Sequence, residues 1–298
     1  MHIYRSLIVL SAILAACLPN AAQAKSKKIV FVAGPKDHGG RGSHEYQKDL
    51  ATLQYCLEHS NIRNIETKLY VGQVPKDLNE IKDASVIVLE SSGDRVPRET
   101  HSLFPQTANT DGKSYPPDAA ARLQEFDKLM KKGVGLVVLH YATIIDNQTA
   151  RGYFLDWLGG YFAQESSKVT LTEWNVDLKS PSHPVLNGVK PWTNFREEFF
   201  TMLHLPDDPR RTPLLAAETV QKTPNRRLPA LGDPPEIVSF VVQRKGGGRG
   251  FVMTGVHSHA NLANEDNRRV LLNGIVWAAK IKVPAAGVVS TLPDDFGK

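Results

Sequence analysis

The chain has 298 residues, 41% of them hydrophobic and 22% charged, with a formal charge of +5. That length and apolar content suffice for a sizeable core, and they exclude a disordered or fibrous class. The positive charge is spread along the chain, its local clusters (Lys25, Lys27, Lys28; Arg244, Lys245, Arg249) are short, and no recognition motif accompanies them, so nucleic acid is not an expected partner.

The first residues read as an export leader. Arg5 precedes an apolar run from Leu7 to Ala16, Pro19 and Asn20 end it, and Ala22-Gln23-Ala24 offers a small-x-small cleavage site. The run is too short for a membrane span. The expectation is a secretory signal over 1–24 and one mature α/β domain over 25–298, its core about 28–283, in the periplasm or outside the cell. Leu14-Ala15-Ala16-Cys17 carries the alternative of a lipoprotein signal, in which an acylated Cys17 would tether the chain to a membrane. Cys56 is then the one cysteine left after cleavage at Ala24, which excludes a disulfide framework. It lies among Leu50, Leu53 and Leu57 at helical spacing and reads as a buried structural thiol.

In chain order, KIVFVA (Lys28 to Ala33) is a branched, apolar run and reads as a buried strand. A glycine-rich loop, Gly34 to Ser43, leads to a helix from about Glu45 to His59 with Ser43 as its cap. Ile65 to Val71 and Ala84 to Glu90 are further strands, with a short helix over Asp77 to Lys82 between them. Ser91 to Tyr115 is long, polar and aperiodic, and Pro116-Pro117 open a helix through Lys132. Val134 to His140 is a fourth strand that ends on a histidine, and Arg151 to Leu158 a helix. The second half adds strands at Lys168 to Asp177, Glu198 to Leu203, Pro213 to Glu218, Glu236 to Gln243 and Gly250 to Gly255, then a helix from Glu265 to Lys280. This alternation argues for an open, mostly parallel sheet with helices on both faces and extra strands in the C-terminal half.

Ligands bind beyond the carboxyl ends of strands in such sheets. Three segments there carry chemistry: Asp37 to Glu45, with His38, His44 and Glu45; His140; and His257-Ser258-His259. Glu197-Glu198, set among Phe195, Phe199 and Phe200, is a fourth. Each has a structural alternative: surface loop histidines, a helix-favouring Glu45, a core His140, a salt-bridged glutamate. His257 and His259 alternate along an extended segment, so at most one of them faces any one cavity. Two or three histidines with a carboxylate would hold zinc or a similar divalent ion. The same set would serve metal-free proton transfer, because burial against phenylalanine raises a glutamate's pKa. No P-loop, GxGxxG or GxSxG motif is present, and no nucleotide cofactor is expected. Gly246 to Gly250 reads as a hairpin turn between strands.

At these segments the sequence resembles the ThuA-like (trehalose utilisation) family, whose fold is similar to class I glutamine amidotransferases. The pieces are HGGRGSHEY (His38 to Tyr46), GLVVLHYA (Gly135 to Ala142), SHPVLNGV (Ser182 to Val189), REEFF (Arg196 to Phe200), and GGRGFVMTGVHSHAN through RRVLLNGIVWAAKIKVP (Gly247 to Pro284). Those amidotransferases carry a nucleophilic cysteine in a tight turn after a strand. Here the comparable strand ends in His140-Tyr141-Ala142-Thr143, so thiol chemistry is not expected. The resemblance implies carbohydrate catabolism, acting on disaccharides or their 3-keto forms as isomerase, lyase or hydrolase. The expected assignment is Glu198, His140 and Glu45 as acid–base groups, and His38, His44 and His257 as ligands of a divalent metal such as zinc. Arg41, Tyr141 and Glu197 would contact a small sugar substrate. The alternatives are a non-catalytic envelope sugar binder, with Trp157, Trp174, Trp192 and Tyr161 as stacking surfaces, and a metal-dependent hydrolase of another substrate. Homo-oligomerisation is left open.

Overall fold

The computed structural model describes residues 25–94, 101–103, 117–220 and 235–297. The expected leader, with Cys17, lies outside the described residues, as does most of the polar stretch 91–115. Among the described residues no helix is long and apolar enough to cross a membrane.

The strands are β1 (Lys27–Ala33), β2 (Ile65–Val71), β3 (Val86–Glu90), β4 (Gly135–Leu139), β5 (Lys168–Leu178), β6 (Trp192–Thr201), β7 (Arg211–Thr219), β8 (Glu236–Gln243) and β9 (Arg249–Met253). They form one nine-stranded sheet in the order β2-β1-β3-β4-β9-β8-β7-β5-β6. From β2 to β9 every pairing is parallel; from β9 to β6 every pairing is antiparallel.

The helices are α1 (Tyr46–Glu58), α2 (Pro117–Lys131), α3 (Gln148–Leu158) and α4 (Glu265–Ala278). They cover both faces of the parallel part, which is why its central strands are apolar throughout. Side chains alternate along β1: Ile29, Phe31 and Ala33 join the core under α1 and α4, and Val30 and Val32 join the one under α2 and α3. Cys56 lies in the first of these, buried, and its thiol donates to the Thr291 carbonyl. Trp157 and Trp174 are also core, and Trp192 and Tyr161 are no more than 8% exposed, so none of the four offers a stacking face.

Of the element ends that depart from the sequence reading, three bear on the site. Helix α1 starts at Tyr46 without a side-chain cap, because Ser43 is instead bridged to Ser258 and its hydroxyl donates to the Gly40 carbonyl. Strand β6 begins at Trp192, and a bulge opposite Glu173 breaks its alternation. Strand β4 stops at Leu139, and His140 turns to φ 47° to open a short 3₁₀ turn through Thr143.

Candidate metal centre and active site

The carboxyl ends of β1, β4 and β9 bring three loops together, and the β5–β6 hairpin lays β6 across them. His44, His140, Glu198 and His257 meet there, all buried, with one ligand atom from each lying within 4.8 Å of the others. His44 Nε2 is 3.0 Å from His257 Nδ1. Glu198 Oε2 is 3.6 Å from His257 Nδ1, and Glu198 Oε1 is 3.9 Å from His140 Nε2. A tetrahedral ion with bonds of 2.0–2.2 Å would set its ligands roughly 3.3–3.6 Å apart, so the set is close to that spacing.

The donors are prepared for a cation. His140 Nδ1 is 2.8 Å from the Thr254 carbonyl, which can only accept, so Nδ1 carries the proton. The lone pair of Nε2 is therefore turned to the centre, where that atom is buried and has no protein partner. Burial, and next the neighbouring imidazoles, hold His140 well below the usual histidine range. Burial likewise lowers His44 to about 3 and His257 to about 4. All three are neutral near pH 7. Burial and then the Glu197 carboxylate push Glu198 up to about 7.

The scaffold pays for this convergence in backbone strain. His44, His140, Arg196 and Val256 all have positive φ, between 47° and 81°, and each is a ligand or adjoins the ligand segments. Such a conformation costs of order 1–3 kcal/mol per residue, and for branched Val256 it is a genuine outlier. Gly39, at φ +81°, packs so closely that a Cβ there would lie 2.8 Å from His44 Nδ1.

The remaining expected residues stand outside the four. His38 is beside the centre, its ring 4.0 Å from that of His44 and 4.8 Å from that of Tyr141. Its Nδ1 donates to Asp37 Oδ1 at 2.7 Å, and its Nε2 is buried without a protein partner. Ser92 Oγ also donates to Asp37, and Tyr46 Oη lies 3.3 Å from Ser92. Tyr141 is buried against His38, His44 and His140. Arg41 is exposed on its loop.

Glu45 is turned away from the four ligands: its carboxylate accepts from Lys36 Nζ and the Gly42 amide, and so braces the loop. Glu197, expected to touch substrate, is fully buried with both oxygens engaged. Oε1 accepts from the amides of Glu198 and His257, and Oε2 from Asn261. It fixes two ligands on different elements at once.

His257 and His259 diverge as their alternation requires. His259 Nδ1 bonds Asp49 of α1 at 2.5 Å, beneath the centre. Glu90, at the end of β3, is fully buried near Asp49, and burial followed by the Asp49 and Glu197 carboxylates pushes it well above the usual range. Sequence reasoning placed Asp37 in a candidate segment without a role and missed Asp49, Ser92 and Glu90. The signals were faint: a lone acid closing the apolar run ASVIVLE, and an aspartate one residue before Leu50 on the buried helix face.

The sequence profile of the ThuA family, described as trehalose utilisation, matches residues 105–278. A putative ThuA-like protein from Bacteroides uniformis is similar at 14% identity and TM-score 0.57, over 88% of this chain and 95% of that one. Another, from Parabacteroides merdae, is similar at 18% identity and TM-score 0.54, over 91% and 95%. A glutamine amidotransferase from Thermotoga maritima aligns at 11% identity and TM-score 0.40, over 85% and 96%. No curated protein matches the chain. Since the profile covers more than half of its length, the chain belongs to the ThuA family.

Proposed function

We propose that this is an exported, metal-assisted enzyme of carbohydrate breakdown that removes a proton beside the carbonyl of a 3-keto-glycoside. Family membership supports a carbohydrate-related role. The observation that carries the chemistry is the convergence of three neutral imidazoles and one carboxylate from four distant segments, with the His140 lone pair freed by the Thr254 carbonyl. Three histidines and one carboxylate suit zinc.

A divalent ion held there would supply a Lewis acid for a sugar carbonyl only by taking it as a fifth ligand beside the four side chains. His44, His140, Glu198 and His257 are then ligands, which takes His140 and Glu198 out of the role of base. That role passes to His38. Asp37 holds its Nδ1–H, which leaves the Nε2 lone pair free to take a proton. On a 3-keto-glycoside His38 Nε2 would take the proton from C2, and the C–H electron pair would enter the enolate. As that pair returns, it forms the C1–C2 double bond, the bond from C1 to the glycosidic oxygen breaks, and the oxygen leaves with the proton from His38. Ser92 and Tyr46 support the Asp37 end of this dyad.

The test is turnover of 3-keto-disaccharides, followed by release of the free sugar, in zinc-loaded wild type and H38A. The reading expects turnover in wild type and a loss of at least 100-fold in H38A with zinc content unchanged. Sugar binding without any product would instead mark a non-catalytic binder. Equal rates in the two proteins would remove His38 as base.

A further inference from the structure

Few large hydrophobic side chains among the described residues are strongly exposed: Val71, Val169, Leu171, Phe195, Met202 and Val289. Three of them share one face of the β5–β6 hairpin. Leu171 is the cross-strand partner of Glu198, and Val169 that of Phe200. Directly opposed residues point to the same face with Cβ atoms about 4.5–5.5 Å apart. Leu171 is therefore a neighbour of a centre ligand, and Val169 of the ring that stacks on His140 at 4.9 Å. Phe195, 69% exposed, lies in the bulge opposite Glu173, which alternation along β5 puts on this same face. Exposed Arg196 adjoins it as a polar edge. These apolar side chains, edged by Arg196 and next to a buried polar centre, form a surface that a ligand reaching out of the centre would cover.

We propose that Val169, Leu171 and Phe195 seat the apolar leaving group, an aryl or alkyl aglycone, of a glycoside whose sugar ring lies at the four-ligand centre. The proposal rests on the sugar reading given above and adds the class of the group attached to the sugar. Continuity with Glu198 and Phe200 favours a ligand that extends from the centre. A stable protein interface takes about 20–30 residues a side, far more than three side chains supply. Phe195 offers an aromatic face, and the aliphatic pair offers a flat apolar floor.

Calorimetric titration of the zinc-loaded protein with 4-nitrophenyl and methyl glucosides, in plain and 3-keto forms and each in both anomers, tests it. The 4-nitrophenyl glucoside should bind about tenfold tighter than the methyl glucoside of its preferred anomer, with a more negative heat-capacity change. L171D and F195S should bring its affinity to the methyl level and leave methyl glucoside binding within twofold of wild type. L171T, which keeps strand propensity, guards against a folding defect and should give an intermediate loss. Equal affinity of the two glucosides, or variants that weaken both alike, would overturn the strip while leaving the sugar reading in place. Zinc binding with neither glucoside bound, in its plain or its 3-keto form, would overturn the sugar reading and the strip with it. Light scattering that shows a wild-type dimer and an L171D monomer would assign the strip to a second copy of the chain and overturn the proposal.

Discussion

His257 and His259 leave the same loop two residues apart, are both buried, and each faces a carboxylate, yet they are built in opposite ways. His259 is bonded to Asp49 at 2.5 Å. His257 stands 3.6 Å from Glu198, beyond hydrogen-bond reach, and its Nδ1 meets only another imidazole, His44 Nε2 at 3.0 Å. One pair is closed and holds α1 against the loop. The other is open, and its atoms are kept from closing by Glu197, by the Ser43–Ser258 bridge and by strained backbone at His44, His140 and Val256. Polar groups that hold a fold satisfy one another. Groups held apart at a cost are waiting for something that is not protein.

The sharpest way to break this comparison is to truncate one histidine from each pair. H140A or H257A is expected to lower zinc affinity by more than the roughly 100-fold ceiling of outer residues, and H257A, which breaks no ring bond to the fold outside the centre, to leave the thermal stability of the metal-free protein the less changed of the two. H259A is expected to do the reverse. It leaves Asp49 buried without its partner, costs about 3 kcal/mol of stability in denaturant titration, and retains zinc. If H259A lost zinc as completely as H257A, the distinction between open and closed pairs would fall.

A smaller effect is expected from the residue that serves the open pair from behind. Glu197→Gln keeps the size but replaces one acceptor with a donor, so either the backbone amides of Glu198 and His257 lose their acceptor or Asn261 must turn its carbonyl inward. Zinc affinity, read by competition with a chelator, should drop about 10–100-fold while folding cooperativity survives. An unchanged affinity would show that Glu197 does not position the ligands.

The mildest test is pH. The three imidazoles are already neutral at pH 7, so they release no proton on metal binding there. Glu198, pushed up to about 7, must lose one. The logarithm of zinc affinity should therefore fall with a slope near one as pH drops below about 7, and steepen only near pH 4. The metal-free fold has signs of its own. The lowered values of His44 and His257 favour the fold above the unfolded value of 6.5, and that stability is lost as pH falls toward about 4 and about 3. The raised value of Glu198 favours the fold below 4.5 and is lost as pH rises through about 7. Between pH 4.5 and 6.5 the two imidazoles outweigh the one carboxylate, so the joint contribution of these three groups should peak near pH 6.5. A flat affinity profile between pH 5 and 7 would contradict the protonation scheme.

The centre of the parallel half was legible because β1, β3 and β4 are buried on both faces and therefore read as unbroken apolar runs; outside it, β2 and β8 match their expected bounds residue for residue. Strand β6 was found late because the bulge at Phe195 and Arg196 breaks the period from which a strand is read. The candidate residues of the centre were visible as histidines and a glutamate at strand ends. The division of labour was not, since it depends on which oxygen or nitrogen each atom meets across the chain. Nothing local to His38 announces Asp37 as its partner rather than a metal, and nothing in Glu197-Glu198 says which of the two faces the centre. Glu45 looked like its neighbours in sequence and differs only because Lys36 reaches it.

The most direct measurement is the zinc content of the purified, dialysed protein by elemental analysis, taken for wild type, H140A and H259A side by side. The account expects about one equivalent in wild type and H259A and close to none in H140A. Zinc at the same level in all three, or in none of them after loading, would contradict it.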